Sequence, residues 1–123
     1  MARDAEDCQL WLTVCKPWFT LFGMIEVVQT DVFRRWMDRL DDRVARNRIV
    51  ARIDRVASGN LGDWKSVGGG VAEVRIDHGP GYRVYFSRRG GRVVIILAGG
   101  TKRTQTSDIA KAVGIAKELR GDV

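Results

Sequence analysis

The sequence is poor in the residues that build metal, redox and membrane sites: one histidine, two cysteines and two prolines in 123 residues. A single histidine excludes a multi-histidine metal centre, and any histidine-based mechanism would rest on His78 alone. Cys8 and Cys15 both fall in the first fifteen residues. One pair makes no disulfide framework, and the spacing is not the CxxC of zinc or thiol-redox sites, so both read as reduced thiols. No run of about twenty apolar residues exists to span a bilayer. The apolar run 10–14 follows acidic residues and is broken by Lys16-Pro17, unlike a secretory signal core. A soluble, cytoplasmic chain is expected, with no metal and no cofactor. Negative charge is also in deficit: 21 Lys+Arg stand against 15 Asp+Glu, a net +6. That excess suits a partner carrying phosphates or carboxylates. With 45% hydrophobic residues, the chain can bury a core but has room for one domain, which excludes a separate cofactor module.

Composition changes at Met24. Residues 1–23 carry Arg3 and Lys16 against Asp4, Glu6 and Asp7, a net −1, so residues 24–123 hold 19 basic against 12 acidic residues, a net +7. The first segment also holds Trp11 and Trp18, and its Trp18, Phe19, Leu21 and Phe22 cannot rest comfortably in water. Either they pack on the domain or a partner, or translation starts at Met24 and residues 1–23 are a start-site artefact. A self-contained domain is expected over 24–123.

Within that domain, Met24–Gln29 is short and β-branched and predicts a strand. Thr30 or Asp31 can cap a helix whose Phe33, Trp36, Met37 and Leu40 recur at helical spacing. Asp41-Asp42 can cap a second helix with Ala45, Ile49, Ile53 and Val56 on its apolar stripe, ended by Gly59-Asn60. From Gly62 the period becomes two. Trp64–Val67, Val71–Asp77, Tyr82–Ser87 and Arg92–Leu97 read as strands, divided by Gly68-Gly69-Gly70, Gly79-Pro80-Gly81 and Gly90-Gly91. A last helix starts near Ser107-Asp108 and buries Ile109, Ala112, Val113, Ala116 and Leu119. The expected class is α+β: a helical hairpin and a C-terminal helix on a four-stranded antiparallel meander, with a short additional N-terminal strand. All helices are expected on one face, leaving the other open.

Alternation puts Glu73, Arg75, Arg83 and Tyr85 on the open face. With Lys65 on the preceding strand and Lys102 just past the last one, a single concave surface there is expected to gather all six. Cations there can neutralise phosphates, and a phenol can stack on a base. The same set could cleave RNA without metal. Attack by a ribose 2′-hydroxyl needs a base for its proton, cations for the phosphorane charge, and an acid for the leaving 5′-oxygen. A lysine among arginines is pushed toward useful acid–base range. His78 lies in the Asp77–Gly81 turn, where a solvated role is the ordinary one. The glycine clusters lack the following helix and Lys-Ser/Thr of a phosphate loop. The arginines of the second helix read as a charged solvent face.

The series Gly62-Asp63-Trp64-Lys65, Gly79-Pro80-Gly81-Tyr82-Arg83 and Gly99-Gly100-Thr101-Lys102, then Thr104-Gln105 and Asp108-Ile109, resembles the RelE/ParE superfamily of toxins. It is most similar to the HigB-like branch, the addiction-module killer proteins, and the resemblance covers residues 24–123. It implies the toxin of a type II toxin–antitoxin pair, cutting mRNA in the ribosomal A site without metal. Arg83 matches the phosphate-contacting arginine of the Gly-Tyr-Arg block, Arg75 a basic residue one strand earlier, and Lys102 the basic residue after the last strand. Lys65 falls in this branch's own block. The implied catalytic set is Arg83, Lys65, Arg75, Lys102, Tyr85 and Glu73. The implied RNA contacts are Arg83, Arg75, Lys102 and Lys65, with Arg103 and Gln105. RelE carries a C-terminal tyrosine that helps activate the 2′-hydroxyl, whereas here the segment is Thr106-Ser107-Asp108-Ile109. The general base stays open among Lys65, Glu73, Tyr85 and His78. The implied partners are a HigA-like helix-turn-helix antitoxin, ribosomal RNA with its mRNA, and operator DNA through the antitoxin complex. A ParE-like gyrase inhibitor, or a non-toxic binding protein of the same fold, are the alternatives. The basic cluster argues against the first.

Overall fold

The computed structural model describes residues 12–13, 26–60, 62–89 and 93–120. Cys8, Cys15, Trp11, the 18–22 aromatic run, Met24 and the Gly90-Gly91 turn lie outside the described residues. In chain order the elements are β1 (Leu12–Thr13), β2 (Glu26–Thr30), α1 (Asp31–Asp38), α2 (Arg43–Ala57), β3 (Trp64–Gly68), β4 (Val71–Ile76), β5 (Tyr82–Arg89), β6 (Val93–Thr101), a 3-10 turn (Lys102–Thr104) and α3 (Gln105–Arg120). They form the expected α+β fold. One sheet runs β1-β2-β6-β5-β4-β3. The meander β3 to β6 is antiparallel, β2 lies parallel to β6, and two-residue β1 adds an antiparallel edge.

Local chemistry explains the elements. The Thr30 hydroxyl accepts from the Phe33 N–H at 3.1 Å and so caps α1. Asp42 caps α2 by accepting from the Ala45 N–H at 3.2 Å. Gly59, at φ +91°, lets α2 end with Gly59 N–H on the Val56 carbonyl and Asn60 N–H on the Arg55 carbonyl, both 2.9 Å. Gly69 and Gly70 both have positive φ, as a two-residue hairpin turn between β3 and β4 requires.

The helices do not share one face. The α1–α2 hairpin buries Phe33, Ala45, Ile49, Ile53 and Val56 against Val74, Val84, Phe86 and Ile96. Helix α3 covers the opposite face, where Ala112, Ile115 and Ala116 pack on Val71, Tyr85, Ile95 and Leu97. The expected open face is therefore half roofed. Both sheet faces carry apolar residues at alternate positions, and each must be covered.

A bulge in β6 decides what meets what. Tyr85 pairs with Ala98 but Phe86 pairs with Ile96, so Leu97 is the extra residue. Side-chain parity flips there, and Leu97 and Ala98 both join the α3-side core. The flip turns Gly99 toward Trp36 and Gly100 toward Asp108, and a Cβ at either would collide with that side chain. The Leu97 carbonyl is bound by the buried Thr30 hydroxyl at 2.7 Å. One side chain thus caps α1 and ties β6 to the start of the hairpin.

Candidate functional site

Register places the charged set together. Lys65 pairs with Glu73, Glu73 with Tyr85, and Arg75 with Arg83, so all five share the α3-side face, as alternation predicts. They are not equally open. Glu73 and Tyr85 are fully buried and Arg83 nearly so, while Lys65 and Arg75 are about half exposed.

Glu73 is the centre of the buried part. Its Oε1 accepts from Arg83 Nη1 at 2.8 Å, its Oε2 accepts from Gln105 Nε2 at 2.9 Å, and Lys65 Nζ stands 3.9 Å away. A carboxylate away from water needs such partners. Gln105, in the first turn of α3, therefore spends its amide on the floor of the site. Lys65 faces a carboxylate rather than a ring of arginines. The Tyr85 hydroxyl is buried beside Glu73 without a hydrogen bond of normal geometry. Burial, then the Glu73 charge, pushes its pKa above the ordinary phenol value. Tyr85 is thus a neutral phenol at neutral pH.

Where α3 stops covering the face, a cleft of about 310 Å3 opens, lined by Arg75, Arg83, Lys102, Asp63 and Asp77 among others. Three segments bring its cations: Arg75 from β4, Arg83 from β5 and Lys102 from the 3-10 turn. Lys102 is placed by its own N–H, which donates to the Gly81 carbonyl at 2.9 Å and clamps the β4–β5 turn to the end of β6. Arg75 is held by Asp63 at 3.2 Å. The turn is braced by a reciprocal Thr101–Thr104 cap, and Thr104 in turn binds Asp108. Neither Lys65 nor Arg103 lines this cleft; Arg103 is exposed on the 3-10 turn.

His78 is engaged elsewhere. Its Nε2 lies 3.0 Å from Asp42 Oδ2, and its ring stacks on Tyr82. The Ala45 N–H, then His78, holds the Asp42 carboxyl below its usual range. His78 therefore joins the β4–β5 turn to the start of α2. Sequence reasoning missed Asp63, Asp77 and Asp108. The Asp63 position inside the Gly-Asp-Trp-Lys block was a usable pointer, whereas Asp77 read only as a strand end. Among the described residues, no group of three His, Cys, Asp or Glu could hold a metal ion, and no helix is long and apolar enough to cross a membrane.

With this geometry in place, residues 35–120 match the phage-derived protein Gp49-like family (DUF891). The chain belongs to that family, a RelE/HigB-like addiction-module toxin family, which puts it among toxin–antitoxin toxins in general. It is also 46% identical over 95 residues to an uncharacterized protein of Haemophilus influenzae, covering 77% of this chain and 96% of that protein. No solved structure matches it. Membership in such a family implies an antitoxin partner.

Proposed function

We propose that the chain is a HigB-like toxin that cuts mRNA in the ribosomal A site without a metal. One observation carries the reading: Arg75, Arg83 and Lys102 converge from three separate segments on one cleft, with Arg83 fixed from behind by a buried carboxylate. Fixed cations that need not reorganise are what a phosphorane's extra charge requires. In the reaction the ribose O2′–P bond forms and the P–O5′ bond breaks, leaving a 2′,3′-cyclic phosphate and a 5′-hydroxyl. Arg83 and Lys102 hold the phosphoryl oxygens, Arg75 holds a neighbouring phosphate, and the Lys102 ammonium supplies the proton to O5′.

Geometry narrows the proton acceptor. Glu73 is occupied by Arg83 and Gln105, Tyr85 is buried with its proton held, and His78 faces Asp42. Lys65 lies outside the cleft lining. Asp77, exposed on the cleft wall and without an ion pair among the described residues, takes the 2′-hydroxyl proton in this reading. Glu73, Gln105 and Tyr85 are positioning residues, and Lys65 and Arg103 meet flanking RNA. A HigA-like antitoxin neutralises the toxin by covering the basic cleft, and carries the pair to operator DNA.

The test is induced expression of the full chain in a growing bacterium, with Lys102→Ala and Asp77→Asn beside it, followed by mapping of mRNA 5′ ends. Growth arrest with cuts confined to translated frames, lost in both variants, is the expected result. Arrest with intact mRNA would move the reading to a gyrase-inhibiting toxin, and no arrest to a binding protein.

A further inference from the structure

A second basic hollow adjoins the cleft. It has a volume of about 350 Å3 and lies between α2 and the β4 end, with Arg48, Arg52 and Arg55 on one wall and Arg75 on the other. These three α2 arginines recur at helical spacing, so they share one face and span about 10 Å along the helix axis. The helix's other cations are not interchangeable with them: Arg46 lines the far side, toward α1. Hollow and cleft are continuous, because Asp63, Arg75, Ile76 and Asp77 border both.

We propose that this α2 groove is a phosphate-binding track that holds the RNA backbone next to the nucleotide in the cleft. This rests on the RNA reading of the cleft. All four cations are arginines, whose planar forks suit phosphate oxygens. The two bordering acids offset them only in part: Asp63 pairs with Arg75 at 3.2 Å and lies near Arg52, and four arginines stand against two carboxylates. Arg52 is half-buried beside Arg55; burial, then that neighbour, disfavour its charge more than Asp63 favours it, so an arriving anion would stabilise it. The apolar side chains lining the groove are Ala51 and Ile76, the rest of its apolar surface being arginine methylenes. It offers no slot for the large anchoring side chain of a protein partner. Sharing Arg75 with the cleft also makes one continuous strand the natural occupant.

The experiment measures binding of the full chain to two uncleavable 2′-O-methyl RNAs, a trinucleotide whose two internucleotide phosphates answer to Arg83/Lys102 and to Arg75, and a dodecanucleotide, over a range of salt. Arg48 and Arg55 are exposed, so Arg48→Ala/Arg55→Ala leaves the core untouched. The double variant should lower the salt slope for the dodecanucleotide by about 1.4, at roughly 0.7 per lost phosphate contact, and leave the trinucleotide unchanged. Arg46→Ala should change neither. An unaltered dodecanucleotide slope overturns the groove, as does an equal loss on both probes or wild-type protein that binds no dodecanucleotide at low salt. Loss of binding to an acidic peptide alone, with RNA binding kept, also overturns it and makes the groove a protein-binding face. Failure of the cleft reading looks different: Lys102→Ala would leave the trinucleotide unaffected while the double variant still weakens the dodecanucleotide.

Discussion

The two faces of the sheet are built from the same strands, one residue out of phase, yet they are held together by different forces. On the hairpin face Val74, Val84 and Phe86 meet Ile49, Ile53 and Phe33, and stability comes from apolar area removed from water. On the α3 face the neighbours of those strand residues are Glu73, Arg83 and Tyr85, buried beside an apolar patch of Ala112, Ala116 and Leu97. An apolar face degrades gradually under truncation, because a cavity can partly collapse. A buried ion pair fails abruptly, because removing one partner strands the other charge. The candidate site lies on the face with the less forgiving interior, at the place where α3 stops covering it. A fixed Arg83 comes at that cost.

The largest effect that would sharpen this contrast is on Arg83 itself. Arg83→Ala should destabilise the fold by about 3 kcal/mol, since Glu73 keeps only Gln105 and a distant Lys65. Adding Glu73→Gln should recover most of that loss in urea unfolding while RNA cleavage stays absent. Should the single variant be as stable as wild type, Arg83 would be a surface residue in solution and the contrast between the faces would collapse.

A smaller effect tests the seam between the faces. Thr30→Val keeps shape but removes the hydroxyl that accepts from Phe33 N–H and donates to the bulged Leu97 carbonyl. A loss of about 2 kcal/mol is expected from the missing cap and the unsatisfied carbonyl together. Thr30→Ser should restore more than half of it. Equal stability of Thr30→Val and wild type by thermal or urea unfolding would mean that the bulge needs no tie.

Much of the hairpin face is readable from residues alone. Thr30, Asp42 and Gly59-Asn60 mark helix ends by chemistry that is local, and the Ile49–Ile53–Val56 stripe sets the buried side of α2. The α3 face is less readable for two reasons. Nothing in the stripe Ile109, Ala112, Val113, Ala116 records which side of the sheet a helix after β6 will take. The bulge at Leu97 also breaks strict alternation, so Gly99 and Gly100 read as the end of a strand when they continue it under Trp36 and Asp108. Burial of the charged set was hidden as well, because Glu and Arg are almost never inside unless paired, and the pairing is made across strands and by Gln105. What alternation did convey was membership: Lys65, Glu73, Arg75, Arg83 and Tyr85 do share one face.

The smallest expected effect concerns Tyr85, whose buried hydroxyl stands beside Glu73 without a hydrogen bond of normal geometry. Below pH 9, Tyr85→Phe should change stability by less than about 1 kcal/mol, because the hydroxyl makes no hydrogen bond of normal geometry and its removal relieves a desolvated group beside Glu73. Above the ordinary phenol value of 10.0 the two proteins should part. The folded state keeps the Tyr85 proton over a range in which the unfolded chain has lost it, so the unfolded state binds fewer protons and wild-type stability falls as pH rises. The slope contributed by this one group approaches about 1.4 kcal/mol per pH unit. Tyr85→Phe lacks that contribution, so its urea midpoint should decline less steeply between pH 9 and pH 11. Parallel decline of the two would mean that Tyr85 reaches solvent. The α3 face would then be open where Glu73 and Arg83 need it closed.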